Sequence, residues 1–202
     1  GLGFFLVQLG QSSLILLLIV TALVCIVMGM GLPTVGVYLL LASLAAPPLV
    51  ELGLQPMAAH MFVLYFGMLS MLTPPVAIAA FVAANMAKAP TMATAVEAVR
   101  IAWPAYLIPF FFAASPALLF YGSGGIIAVT VAKSLVGVYA ITGGIVGFMG
   151  RNLPVPERIV VISVGLAILC PLEAFSSAAW LNAIGLAALL GFFVLQKIRS
   201  KA

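Results

Sequence analysis

The first fifty residues of this chain contain no charged side chain, and the runs 52–87, 101–132, 134–150, 159–172 and 174–196 are equally bare. Soluble domains carry about 25% charged residues, against 6% here, with 65% hydrophobic residues. Such runs cannot coat a water-facing surface and belong in lipid. There, each backbone N–H and C=O must find a partner inside the protein, which leaves helices or a closed barrel. The runs are continuous and do not alternate over ten-residue units, so the expected class is an all-α integral membrane protein in a lipid bilayer. The net charge of +4 sits mainly in loops and in the C-terminal tail. It is a topology signal and points to no nucleic-acid partner. Cys25 and Cys170 are isolated in apolar runs, which predicts neither a disulfide framework nor a metal cluster.

Basic residues fall in three groups: Lys88 with Arg100, Arg151 with Arg158, and Lys197, Arg199 and Lys201. Placing all three in the cytoplasm gives alternating connections and a cytoplasmic C-terminus. The implied layout is a break-bearing span over 57–87, an interfacial helix over 91–100 and a span over 101–121. Three further helices follow within 122–202, turning at Glu173. Ser115 and Pro116 predict a kink. Lys133 departs from the charge pattern and is expected to snorkel to the interface. Trp103, Tyr106, Tyr121 and Trp180 lie near span ends, as an aromatic belt would. The small residues of "ITGGIVG" (141–147) suit close helix packing.

Within this apolar background one device recurs. "GMGLPT" (29–34) and "SMLTPP" (70–75) each interrupt an apolar helix with Gly, Ser, Thr and Pro. The first break divides 14–28 from 35–46, arms of about 15 and 12 residues that reach roughly 22 and 18 Å. A bilayer crossing needs about 20 residues. A re-entrant hairpin over 14–46 is therefore expected. Pro33 and Thr34 suit the start of its second arm, because proline lacks the N–H that would be orphaned there. The second break lies within a crossing helix. Pro74 and Pro75 each remove a donor, which should leave the Ser70 and Met71 carbonyls without helical partners. Open carbonyls beside hydroxyls make a hard-oxygen environment suited to Na⁺. A lone proline break is commonly a simple bend. Two breaks about forty residues apart, one in a short hairpin, argue for a site.

The stretch from "GMGLPTVGVYLLLA" through "AAHMFVLYF" to "MLTPPVAIAAFVAANMAKA" resembles the second half of the large, DctM-like permease subunit of TRAP transporters, in particular the fused TAXI type. The resemblance covers about 14–121. Residues 126–196 resemble the additional C-terminal helices of that type more loosely. It implies a multi-pass permease of a bacterial or archaeal inner membrane, working as an elevator from two inverted repeats. Such a permease imports an organic anion, taken from a periplasmic substrate-binding protein, together with sodium. This chain would supply the second repeat, with the N-terminal half of the permease missing. The beginning "GLGFFLVQLG", with neither an initiator Met nor a basic leader, gives the same expectation of a fragment. The family pattern assigns one Na⁺ to Gly29, Gly31, Thr34, Ser70 and Thr73, with Pro33, Pro74 and Pro75 shaping the backbone. Na⁺ is the coupling ion, and no cofactor is expected. Asn85, on the inner arm of the broken helix, either bonds between helices or lines the substrate path.

Three other classes compete. Enzymatic chemistry requires a nucleophile beside a base or paired carboxylates, whereas His60 is the sole histidine, there is no Asp, and the Glu residues sit in loops or at span ends. His60 reads as a packing or interfacial residue, with proton coupling the lesser alternative. A channel could use the hairpin tip as a filter, but a filter needs no second break in a crossing helix. A purely structural subunit is the remaining class.

Overall fold

The apolar runs fold as helices, as the need to satisfy the backbone internally dictates. The computed structural model describes residues 3, 6–8, 10, 13–171 and 177–199, without the side chains of 195 and 197–199. Glu173, Lys201 and the side chains of Lys197 and Arg199, all used in the topology argument, lie outside the described residues. The chain divides into two compact units, Gly1–Leu119 and Phe120–Ala202.

In the first unit, α1 (Leu14–Gly29) opens on Ser13, whose Oγ accepts the Leu16 N–H at 3.4 Å, an N-cap interaction. Next come α2 (Thr34–Leu44), α3 (Ala46–Glu51) and α4 (Pro56–Leu69). Proline at the first position of α4 costs no hydrogen bond there. α4 is the hub, with α1, α2, α3 and α7 packed on it. Phe62 and Phe66, both buried, meet Phe110 of α7 edge-on at 5.3 and 5.5 Å, a geometry that aromatic quadrupoles favour. After the second break come α5 (Ile78–Ala87) and α6 (Thr91–Ile101), joined through the buried Ala80 and Ala95. Lys88, left-handed at φ +52°, ends α5.

The expected span 101–121 is shorter than the sequence suggests. α7 covers Trp103–Ala114, and a 3₁₀ turn, Pro116–Leu119, follows the extended Ser115. α6 and α7 bend by 40° at Ala102 and only together have the length and apolarity of a crossing. Trp103 is half-buried, and its indole N–H has no partner among the described residues, unlike a belt tryptophan with its polar edge in water.

The second unit holds α8 (Gly124–Val146), α9 (Val155–Leu169) and α10 (Ala178–Arg199). Among the described residues, α8 is the one single helix long and apolar enough to cross a membrane. α8 and α9 touch backbone to backbone. A Cβ on Gly165 would lie 2.5 Å from Ile141 Cγ1 and 2.9 Å from the Gly137 carbonyl. Arg158 folds back onto the end of α8, donating to the Gly144 and Ile145 carbonyls at 2.8 and 2.6 Å. A cation there meets the negative end of the helix dipole.

Lys133 does not snorkel. It is 6% exposed, and its ammonium donates to the Cys170 carbonyl at the end of α9 and to Asn182 Oδ1 of α10 at 3.2 Å. Asn182 Nδ2 donates to the same carbonyl at 3.1 Å. Lys133 therefore ties three helices together at a helix C-terminus, where positive charge is favoured. Lys133→Met is expected to destabilise this unit by about 2 kcal/mol, since a hydrogen bond from a charged donor is worth ~1.5–3 kcal/mol and desolvation offsets part of the pair. An unchanged unfolding midpoint in mixed micelles would contradict this role.

Candidate functional site

α1 stops at Gly29 and α4 at Leu69, and these two ends meet. A Cβ on Gly29 would lie 2.6 Å from the Gly67 carbonyl oxygen, 2.8 Å from Ser70 Oγ and 3.1 Å from Ser70 Cβ. Only a hydrogen fits. Gly67 is equally tight toward α2, where an added Cβ would be 2.6 Å from Val37 Cγ1 and 2.8 Å from Leu41 Cδ1. The final turn of α4 is thus gripped by both helices that flank the first break.

Each helix C-terminus carries about half a negative charge on carbonyls that lack helical partners. Two such ends converge here, so the locality is electronegative without any carboxylate. The fate of each α4 carbonyl can be followed. Gly67 accepts the Ser70 hydroxyl at 2.6 Å, and Met68 accepts the Met71 N–H at 3.1 Å. Leu69 accepts the N–H groups of Leu72 and Thr73, both at 3.0 Å, and the Thr73 hydroxyl at 2.7 Å. Met71 departs from the sequence expectation. Its carbonyl is not left open, because the Ala79 N–H reaches across the prolines to it at 3.0 Å. Ser70 follows the expectation: Pro74 offers no N–H, and no hydrogen bond reaches the Ser70 carbonyl among the described residues. Ser70 itself is 1% exposed.

The structure brings Gly29 and Ser70 into direct contact. Gly31 lies at the exposed tip with φ +81° and nothing within 4 Å of where its Cβ would stand. It serves the turn, since left-handed backbone strains other residues. Pro33, extended at φ −67°, leads into α2, whose first residue is the half-buried Thr34. Thr73 sits in the second break, and the Pro74–Pro75 bond inside it is cis. Asn85 is on an exposed part of α5, and no side-chain hydrogen bond joins it to another helix among the described residues.

Two contacts have no local signature in the sequence. The Tyr106 phenol of α7 lies 2.7 Å from Thr73 Oγ1. The Tyr38 phenol of α2 lies 3.1 Å from His60 Nδ1 of α4, with the rings edge-on at 6.1 Å. The partners are 33 and 22 residues apart, beyond any helical spacing rule, and Tyr106 at a span end looked like a belt residue.

The family described as tripartite ATP-independent periplasmic transporter, DctM component, matches residues 1–124, well over half of the chain. The match takes in the first unit with both breaks, while most of the second unit lies outside it. No curated protein and no solved structure matches the chain. DctM components are multi-pass transporter permeases of the inner membrane that act with a periplasmic binding protein and a small permease subunit. On the strength of that match the chain belongs to the DctM family, the large permease components of TRAP transporters.

Proposed function

We propose that this chain forms the second repeat of a TAXI-type TRAP permease, binds Na⁺ where Gly29 meets Ser70, and uses it to drive import of an organic anion, a carboxylate by preference. The carrying observation is the convergence of two helix C-termini around one buried, unclaimed carbonyl at Ser70. Ser70 Oγ and Thr73 Oγ1 each donate their proton to a carbonyl, which leaves oxygen lone pairs available to a cation. Carbonyl and hydroxyl oxygens suit a hard ion. The opposite poles belong to α2 and α5, whose N-termini present positive dipole ends beyond each break. Residues 14–46 and 57–87 contain no Lys or Arg. The anion is therefore held by amides and hydroxyls there, or by the first repeat, which we place in the preceding part of the permease. Discontinuous helices of secondary transporters divide cation and anion in the same way. In this reading α1 and α2 form a re-entrant hairpin and the C-terminus is cytoplasmic.

The Tyr38–His60 hydrogen bond favours proton coupling as a second reading.

A thermal-stability assay separates the two without knowledge of the substrate. Melting of the purified permease in detergent is followed against Na⁺, with K⁺ at equal ionic strength. A ligand held only by the folded state adds RT ln(1 + [L]/Kd), about 2.7 kcal/mol at one hundred times Kd. We expect a Na⁺-specific rise of several degrees that Thr73→Val largely removes. Equal responses to both cations would defeat the sodium site and leave His60 as the coupling group to test.

A further inference from the structure

Tyr106 stands outside both breaks, yet its phenol contacts the second. Thr73 has a single hydroxyl hydrogen, and the Leu69 carbonyl at 2.7 Å takes it. The 2.7 Å contact between Thr73 Oγ1 and the Tyr106 oxygen must then be donated by tyrosine. The relay runs from the Tyr106 O–H to the Thr73 oxygen, and from the Thr73 O–H to the Leu69 carbonyl. The last acceptor also receives the Leu72 and Thr73 N–H groups. One chain of hydrogen bonds thus fixes the turn that follows Ser70, whose side chain stands against Gly29. Among the described residues, Tyr106 is the only side chain from beyond residues 70–77 that hydrogen-bonds to a side chain within them.

From this geometry we infer that Tyr106 is the positioning residue of the Na⁺ site: through Thr73 it holds the 70–77 turn in its ion-binding shape, so that the oxygens need not reorganise when the cation arrives. The inference rests on the sodium reading above. A site held ready binds more tightly than one ordered at the moment of binding, and donors in series polarise one another. Tyr106 does not touch the ion. It lies on α7, so it also makes ion affinity depend on where that helix packs against α4.

The experiment is a two-residue cycle on the full permease in detergent, read as the Na⁺ concentration giving half of the thermal shift and as the melting temperature in K⁺ alone. Tyr106→Phe removes one oxygen and keeps the ring that packs in the α4 core. It is expected to raise the half-saturating Na⁺ about fivefold, as the loss of one ordinary net hydrogen bond would, with little change in K⁺. Thr73→Ser keeps the relay and should keep wild-type affinity. The double variant Tyr106→Phe/Thr73→Val should be no worse than Thr73→Val alone, because the phenol acts only through that hydroxyl.

Tyr106→Phe with wild-type half-saturation, beside a Thr73→Val that has lost its Na⁺ response, would overturn the Tyr106 inference and leave the sodium site standing. Additive losses in the double variant would also overturn it, as would a fall in the K⁺ melting temperature without a change in half-saturation. A wild-type protein indifferent to Na⁺ would remove the sodium reading and this inference together.

Discussion

Gly29→Val should abolish Na⁺-specific stabilisation and lower the Na⁺-free melting temperature, the largest combined loss expected in the first unit. The reason is steric and local. The first added carbon would stand 2.6 Å from a backbone carbonyl, that of Gly67, and 2.8 Å from Ser70 Oγ. A flexible side chain could swing aside, but the Gly67 oxygen is fixed within α4. The end of α1 must therefore withdraw from α4. Overpacking of a well-filled core costs about 1–3 kcal/mol, and withdrawal also parts the two helix ends that the proposed sodium site requires. The measurement is the cation-dependent melting curve, with anion uptake by proteoliposomes as the functional counterpart. A valine variant with wild-type Na⁺ response would show that the contact between the breaks has no part in ion binding.

The second large effect is expected for Gly165→Leu, which should unfold the α8–α9 pair. Here an added Cβ meets Ile141 Cγ1 at 2.5 Å, the Gly137 carbonyl at 2.9 Å and the Ile141 amide nitrogen at 3.0 Å. Two of these three are backbone atoms, so relief requires the helices to separate along their seam. Separation would also carry the Cys170 carbonyl away from Lys133 and uncover a buried ammonium. Losing a hydrogen bond from a charged donor costs about 1.5–3 kcal/mol, beyond the overpacking itself. Loss of the folded, monodisperse fraction after extraction, read by fluorescence-detected size exclusion, checks this. A leucine variant as stable as wild type would mean that the seam is looser than the backbone distances require.

The parts of this protein legible in its sequence are those whose cause is local. Absence of charge predicts helices in lipid, and proline with glycine marks both breaks, because each of these acts on its own backbone or its immediate neighbours. The pattern around those breaks also suffices to recognise the family. Contacts between remote residues carry no such mark. Thr73 with Tyr106, Tyr38 with His60, and Lys133 with Asn182 become partners only through packing. Lys133 shows how a sound local argument fails: a lysine in an apolar helix snorkels unless the fold offers it acceptors, and here a carbonyl at the end of α9 does. Gly29 and Gly31 differ in the same way. Both belong to "GMG", yet one exists for a neighbouring helix and the other for a turn. At the second break, counting missing proline donors identified the open Ser70 carbonyl. The same count could not foresee that Ala79, eight residues on, would satisfy Met71.

That Ala79 bond bears on how force passes through the protein. The amide closes a ring across the proline pair, and a second bond, from the Ala77 N–H to the Thr73 carbonyl at 3.2 Å, braces it from inside. A joint needs slack, and a cross-braced loop has little. A displacement of α5 is consequently passed to α4 through these two hydrogen bonds as well as through the chain itself. If the proposed transport involves movement of α5, the bending is expected at other points of the chain, with the interrupted helix acting as a lever.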